Sequence, residues 1–263
     1  MTNLSQLTGL SVWVTGPKVS IGQGRPDKLS ELLRDSGANP LHYPLVRLVP
    51  SEDRQFQAAF ERLDSFGTLV FVSAAGPRFF FEFAGGIARN GEEVTALLNE
   101  NNIDVVAIGE GTAAELKRHG VQDVSMSESA DSLSLARMLR SGSTGEPVLI
   151  VRADRGSKVL PSELEAAGVE FTQVAAYKSI DVQVRDEELV SLLKVGKIDW
   201  VAVSSSAIAG VLGRLYGELL GQTKIACISQ NVADVVRSAG LEVSGVADEA
   251  NFLSLRQAIM DWR

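Results

Sequence analysis

Apolar residues along this chain fall into two alternating patterns. Short runs that are apolar at nearly every position, "SVWV" from Ser11, "TLVFV" from Thr68, "VLIV" from Val148 and "WVAV" from Trp200, are separated by stretches in which apolar residues recur every three or four positions, such as "LSELLRDSGA" and "LPSELEAAGV". A run with no polar alternate is a strand buried on both faces, and the longer period is an amphipathic helix. The pattern predicts repeated units of strand, loop, helix and turn, with the helices closing on glycine.

The units recur in order. "LSVWVTGP" (Leu10 to Pro17) corresponds to "PVLIVRAD" (Pro147 to Asp154), and "FGTLVFVSAAG" from Phe66 to "IDWVAVSSSAI" from Ile198. "AIGEGTAAELKRHG" (Ala107 to Gly120) corresponds to "ACISQNVADVVRSAG" (Ala226 to Gly240), and "SADSLSLARML" from Ser129 to "EANFLSLRQAI" from Glu249. A repeat this long is a duplication, since a solenoid would repeat every ~20 to 50 residues. Doubly apolar strands alternating with amphipathic helices predict α/β architecture: two similar doubly wound parallel-sheet domains. Two extended segments break the alternation, "HYPLVRLVP" (His42 to Pro50) and "VEFTQVAAYKSIDVQV" (Val169 to Val184). Lying side by side, they would form a two-stranded β connector.

Composition narrows the function classes. The chain has 263 residues, 45% of them hydrophobic, enough for two compact domains. Its longest apolar runs fall far short of the ~20 residues that span a bilayer. The N-terminus has no basic start followed by an apolar stretch and a cleavage site, which predicts a cytoplasmic protein. A net charge of −8 argues against a nucleic-acid or anionic-membrane surface. The single cysteine, Cys227, lies in an apolar run and reads as a small core residue. Neither His42 nor His119 has partners at metal-ligand spacing, so no metal site is expected.

In an open parallel sheet, the loops leaving the carboxyl ends of the strands gather ligand-binding groups. Here they carry Thr15 and Gly16, Ser73 and Ala74, Gly109 to Thr112, Arg152 to Lys158, Ser204 to Ser206, and Ser229 to Asn231. Glycine and hydroxyl groups at helix N-termini suit carboxylate or phosphate. Thr112 with Glu115 also reads as a capping box, with Asn231 and Asp234 a looser copy. "GEGT" lacks the lysine of a P-loop and the third glycine of a dinucleotide fingerprint, and no nucleophile elbow surrounds the serines. Arg152, Arg155 and Lys158 form either a carboxylate site or an exposed basic loop. Tyr177, in the second extended segment, is either a proton donor or a packing residue.

"VLIVRADRGSKVLPSELEAAGVEFTQVAAYKSI", "IGEGTAAEL", "SADSLSLARML" and "VAVSSSAIAGVL", in this order, resemble the uroporphyrinogen-III synthase family from about Val12 to Ile259. The resemblance implies one discontinuous domain of residues 1–43 plus 181–263, an inserted domain of 49–174, and connectors at about 44–48 and 175–180. It implies a cytoplasmic, monomeric enzyme with no cofactor, acting on the small molecule hydroxymethylbilane and not on nucleic acid or membrane. Such an enzyme removes water from the terminal hydroxymethyl group and closes the ring with ring D inverted, through a spiro intermediate. Tyr177 matches the family's candidate general acid. Thr112, Ser73 and Ser204, Ser205 and Ser206 match substrate-facing positions, and Lys224 a lysine found in some members. Thr15, Arg152, Lys158 and Asn231 complete the expected substrate-binding set. The chain departs from the family's pattern at Gly16, where arginine is common, and at Ala75, Ala153, Ser229 and Val232. These departures leave open an inactive homologue that binds a tetrapyrrole or other small anion as a regulatory module.

Overall fold

The computed structural model describes residues 7–19, 27–86, 91–100, 103–142 and 146–262. In chain order the elements are β1 (Ser11–Val14), β2 (Lys18–Val19), α1 (Lys28–Asp35), β3 (Asn39–His42), β4 (Val46–Pro50), α2 (Arg54–Glu61), β5 (Thr68–Phe71), α3 (Ala75–Gly86) and α4 (Gly91–Glu100). They continue with β6 (Asp104–Ala107), α5 (Glu110–Arg118), β7 (Ser125–Met126), α6 (Ser132–Gly142), β8 (Val148–Ala153), α7 (Val159–Ala166) and β9 (Phe171–Asp181). The last are α8 (Glu187–Lys194), β10 (Trp200–Val203), α9 (Ser206–Tyr216), β11 (Lys224–Cys227), α10 (Gln230–Ser238), β12 (Gly245–Val246) and α11 (Phe252–Met260).

The chain divides into two compact units, Met1–Leu48 with Ile180–Arg263, and Val49–Ser179. Among the described residues, one sheet runs β12-β11-β10-β1-β3 and the other β2-β4-β9-β8-β5-β6-β7. The first order and the run β7-β6-β5-β8-β9 within the second correspond strand for strand, which is the duplication read from the sequence. The α/β class with two parallel-dominated sheets follows as expected. β4 and β9, the two extended segments, are sheet neighbours, and each is hydrogen-bonded on its other side as well, to β2 and β8. The edge strand β3 and the two-residue strands β7 and β12 carry too few apolar positions to have been distinguished from loop.

In the first unit, Val12, Val14, Trp200 and Ala202 share a core with Leu33 of α1 and Leu255 of α11. Trp13, on the opposite face of β1, meets Tyr216 of α9 edge-on, ring centroids 5.1 Å apart. In the second unit, Val70, Val106 and Ile150 pack on Leu135 of α6 and Leu164 of α7. On the other face Phe71 meets Phe80 of α3 at 5.4 Å. The central strands β1, β5, β8 and β10 are therefore covered on both faces, which is why their sequences show no polar alternation.

Helix ends follow from local chemistry. Asp27, Asp53, Asp186, Ser205 and Asn251 cap α1, α2, α8, α9 and α11, each side chain accepting a backbone N–H of the first turn. The "SGA" and "AGV" that close α1 and α7 hold Gly37 and Gly168 at φ +87 and +69, the left-handed exit open to glycine. The expected capping boxes do not form. Helix α5 begins at Glu110 with Gly109 as N-cap, and α10 begins at Gln230 with Ser229 as N-cap, neither making a side-chain cap bond. This places Thr112 and Asn231 inside their helices. Gly109 has a packing reason: a Cβ there would stand 2.9 Å from the Ala130 Cβ.

Candidate active site

The second unit carries a cleft of about 160 Å³ at the carboxyl edge of its sheet. Ile108, Ile150 and Leu160 supply apolar wall, and Ser73, Ser132, Arg152, Arg155, Ser157 and Tyr177 supply polar groups. The volume equals that of about five waters in bulk, room for one carboxylate-bearing arm of a larger molecule.

Tyr177 enters this cleft through an irregularity in β9. Along β8 and β9 the pairing is regular from Val148–Phe171 to Arg152–Ala175, then shifts so that Ala153 faces Tyr177. Val174 and Ala176 are buried by ordinary alternation; the extra residue changes the phase, so that Tyr177 is also buried, at 5% exposure, and Lys178 is exposed. Without the bulge, alternation would have turned the tyrosine outward. The phenol ring then stacks on Phe79 of α3, with centroids 5.0 Å apart and planes 14° from parallel. Its hydroxyl lies 2.7 Å from Ser73 Oγ, and the Gly76 N–H donates to the same Oγ at 3.2 Å. Burial raises the phenol's pKa above its ordinary value; the Ser73 hydrogen bond and the Arg152 charge act against this, and Asp154 acts with it.

Arg152 is fixed beside this pair. Its guanidinium donates to Gln173 Oε1 at 3.0 Å and to the Ser157 carbonyl at 3.1 Å. A Cβ on Gly156 would stand 2.6 Å from Arg152 Nη2, so glycine lets the loop close over the guanidinium. Asp154 ties the loop to β9: its N–H donates to the Tyr177 carbonyl and its Oδ1 accepts from the Ser179 N–H, both at 3.0 Å. The Arg155 guanidinium reaches Ser179 Oγ at 3.3 Å.

Ser73, Arg152 and Tyr177 thus come together within the second unit. Lys158 is exposed, as the N-cap residue of α7. Thr112 is 3% exposed inside α5, so its hydroxyl is packed rather than presented. In the first unit, Thr15 is fully buried and its hydroxyl donates to the Ala202 carbonyl at 2.5 Å. Ser204, Ser205 and Ser206 follow β10 at its carboxyl end, with Ser205 Oγ capping α9 through Ile208 N–H. Asn231 is exposed in the first turn of α10. His42 Nε2 lies 3.0 Å from the Gly16 carbonyl at the same edge. Lys224 is the first residue of β11, at the amino edge of a parallel sheet, with its ammonium 3.6 Å from the Trp262 ring centroid. Its ammonium lies over the Trp200 and Trp262 rings.

Sequence reasoning missed Ser132 and Phe79. Ser132 opens α6 and reaches the cleft because β7 and α6 obey the same carboxyl-edge rule, but a two-residue strand leaves no apolar run to mark the loop. Phe79 sits in "PRFFFEF", where nothing local tells which ring meets a distant tyrosine. Cys227 is buried and its thiol is pushed up to about 12, chiefly by burial, so it is an inert core group. Among the described residues no three His, Cys, Asp or Glu side chains are grouped to hold a metal, and no helix is long and apolar enough to cross a membrane.

A family model described as uroporphyrinogen-III synthase HemD matches residues 27–257. The porphyrin biosynthesis protein HemD of Ruminiclostridium josui is 24% identical over 259 residues, 97% of this chain and 49% of that protein; the chain spans about half the length of that relative. The uroporphyrinogen-III synthase of Chlorobaculum parvum is 23% identical over 203 residues, covering 76% of this chain and 80% of its own length. Among solved structures, uroporphyrinogen-III synthetase from Helicobacter pylori superposes with a TM-score of 0.63 at 16% identity, over 97% of this chain and 99% of that one. A mutant uroporphyrinogen III synthase from Thermus thermophilus gives 0.57 at 17% identity, over 95% and 97%. At such identities the structural likeness carries the fold.

Proposed function

The chain belongs to the uroporphyrinogen-III synthase family, and on that premise we propose that it converts hydroxymethylbilane to uroporphyrinogen III. The Ser73–Tyr177 pair, in a cleft that also holds Arg152, carries the proposal. Tyr177 is the general acid. Its O–H bond breaks, the proton passes to the terminal hydroxyl oxygen, and the C–O bond electrons leave with water. The pyrrole nitrogen's electrons stabilise the remaining methylene cation, which ring D attacks through its substituted carbon to give the spiro intermediate. The bond from that carbon to the ring C methylene then breaks, its electrons returning to ring D; the unsubstituted carbon of ring D bonds the methylene cation so released, which inverts the ring, and loss of that carbon's proton restores the pyrrole. One proton enters and one leaves, so the net change is loss of water and no electrons are exchanged with a cofactor.

Arg152 and the loop after β8 hold one carboxylate arm of the substrate, the size for which the cleft has room. In the first unit, the hydroxyl and backbone donors from Ser204 to Ser206 and Asn231 lie at the carboxyl edge of the sheet and are of the kind that suits carboxylates. Holding the flexible chain so that its ends meet is a proximity effect, and it must outrun spontaneous closure without inversion.

The test is to supply freshly made hydroxymethylbilane and separate the oxidised products by isomer. Predominance of the type III isomer is expected. Type I alone, at the rate of the buffer control, would refute the activity and leave tetrapyrrole binding as the role of the fold.

A further inference from the structure

Ser73 was expected to touch substrate, but its hydroxyl is engaged elsewhere. We infer that Ser73 is a positioning residue: it fixes the Tyr177 phenol and donates a hydrogen bond to the phenolate that proton delivery leaves behind.

A serine hydroxyl has one proton to give and two lone pairs. The Gly76 N–H occupies one lone pair at 3.2 Å, and Tyr177 OH is 2.7 Å away. When Tyr177 aims its proton at the leaving hydroxyl, it has none for Ser73, so Ser73 becomes the donor in that pair. The bond then strengthens as charge develops on the phenol oxygen, because a charge-assisted bond is about twice as strong as a neutral one. An interaction that is stronger in the transition state than in the ground state accelerates the step.

The surroundings hold this arrangement in place. Phe79 stacks on the phenol ring and Tyr177 is 5% exposed, so the ring does not swing to find another donor. Ser73 precedes α3, whose amino end points positive partial charge at the pair. Charged groups reach Tyr177 from several elements. Arg152 of β8 favours the phenolate and Asp154 of the following loop opposes it. Arg155 lines the cleft and is tied to Ser179, Lys178 of β9 is exposed, and Arg78 of α3 is paired with Glu115 of α5. Ser73 is thus the uncharged donor in direct contact with the reacting oxygen.

The proposal rests on Tyr177 being the acid, and the experiment separates the two. The chain has three tyrosines. Labelling with 3-fluorotyrosine lets the phenols titrate below alkaline unfolding, and single Tyr→Phe variants assign each fluorine resonance. Ser73→Ala is expected to move the Tyr177 titration up by about one pH unit and to move the basic limb of the kcat profile with it. It is expected to lower kcat about ten-fold with KM unchanged, and Ser73→Thr to restore both; thermal melts check that each variant is folded. A Tyr177 titration unmoved in Ser73→Ala, with KM raised instead, makes Ser73 a substrate contact and overturns the proposal alone. Full turnover by Tyr177→Phe removes the acid role itself, and Ser73's role at the reacting oxygen falls with it.

Discussion

The ring of Phe79 lies parallel to that of Tyr177, centroids 5.0 Å apart and planes 14° from coplanar. Phe79 is 2% exposed, so this contact belongs both to the core and to the candidate proton donor. Phe79→Leu keeps apolar volume but loses the stack, at an expected cost of about 1–2 kcal/mol. Turnover should fall several-fold with KM little changed, as expected for a misaligned acid. Urea unfolding and steady-state kinetics check the two parts.

Tyr177→Phe keeps the stack and removes only the hydroxyl. Turnover should fall ten-fold or more, the scale of general acid assistance. Stability should stay within about 1 kcal/mol of the parent, because Ser73 keeps its bond from Gly76. Isomer-resolved product assays give the first number and chemical denaturation the second.

Gly156→Ala tests Arg152 without replacing it. The new Cβ would meet Arg152 Nη2 at 2.6 Å, and the guanidinium, the far end of a flexible side chain, must shift. Gly156 is not among the left-handed glycines, so the backbone tolerates alanine. KM should rise by about three- to ten-fold with an unchanged melting temperature, the partial loss of one charge-assisted contact.

Glu115 places a carboxylate that is 3% exposed between Arg78 Nε at 3.1 Å and Arg118 Nη1 at 2.8 Å. Glu115→Ala leaves Arg78 facing the site of a lost buried charge and should cost about 2–3 kcal/mol, discounted for the partial exposure of both arginines. Glu115→Gln keeps the shape and an acceptor oxygen, so it should cost less. The difference in urea midpoint between the two variants measures the charge.

The pKa values of Cys227 and Tyr177 are raised from ordinary values of 9.0 and 10.0, in each case chiefly by burial. A raised folded-state pKa means that the native chain keeps a proton the unfolded chain gives up. For Cys227 the resulting stability is complete below pH 9 and is lost as pH rises toward 12, and Tyr177 adds a contribution that is complete below pH 10 and is lost at higher pH. The urea midpoint should fall above pH 9, and Cys227→Ala should move the onset toward pH 10. The native thiol should resist maleimide at pH 8, labelling only when urea unfolds the chain.

Much of the fold was legible because burial on both faces writes itself into the strands: Leu69, Val70 and Phe71 have no polar alternate, and all are essentially inaccessible. The candidate site was legible in part. Ser73 follows β5 and Arg152 stands next to last in β8, near the strand ends where the carboxyl-edge rule looks for ligand groups, and Tyr177 stood out by resemblance to the family. Thr112 misled because its spacing to Glu115 also fits the interior of a helix, where the threonine is packed and the glutamate binds arginines. Lys224 entered the set by resemblance to the family alone, and it opens β11, at the amino edge of the sheet.

Local patterns by themselves determined the number and kind of the principal elements, the duplication, and the glycine exits of helices such as Gly37 and Gly168. These depend on periodicity and backbone conformation within a few residues. Only the tertiary structure decided that Tyr177 is stacked on Phe79 and bonded to Ser73, 104 residues away in the chain. That meeting depends on the bulge opposite Ala153 and on the packing of α3 against the sheet, and long-range packing of this kind has no period to show in the sequence.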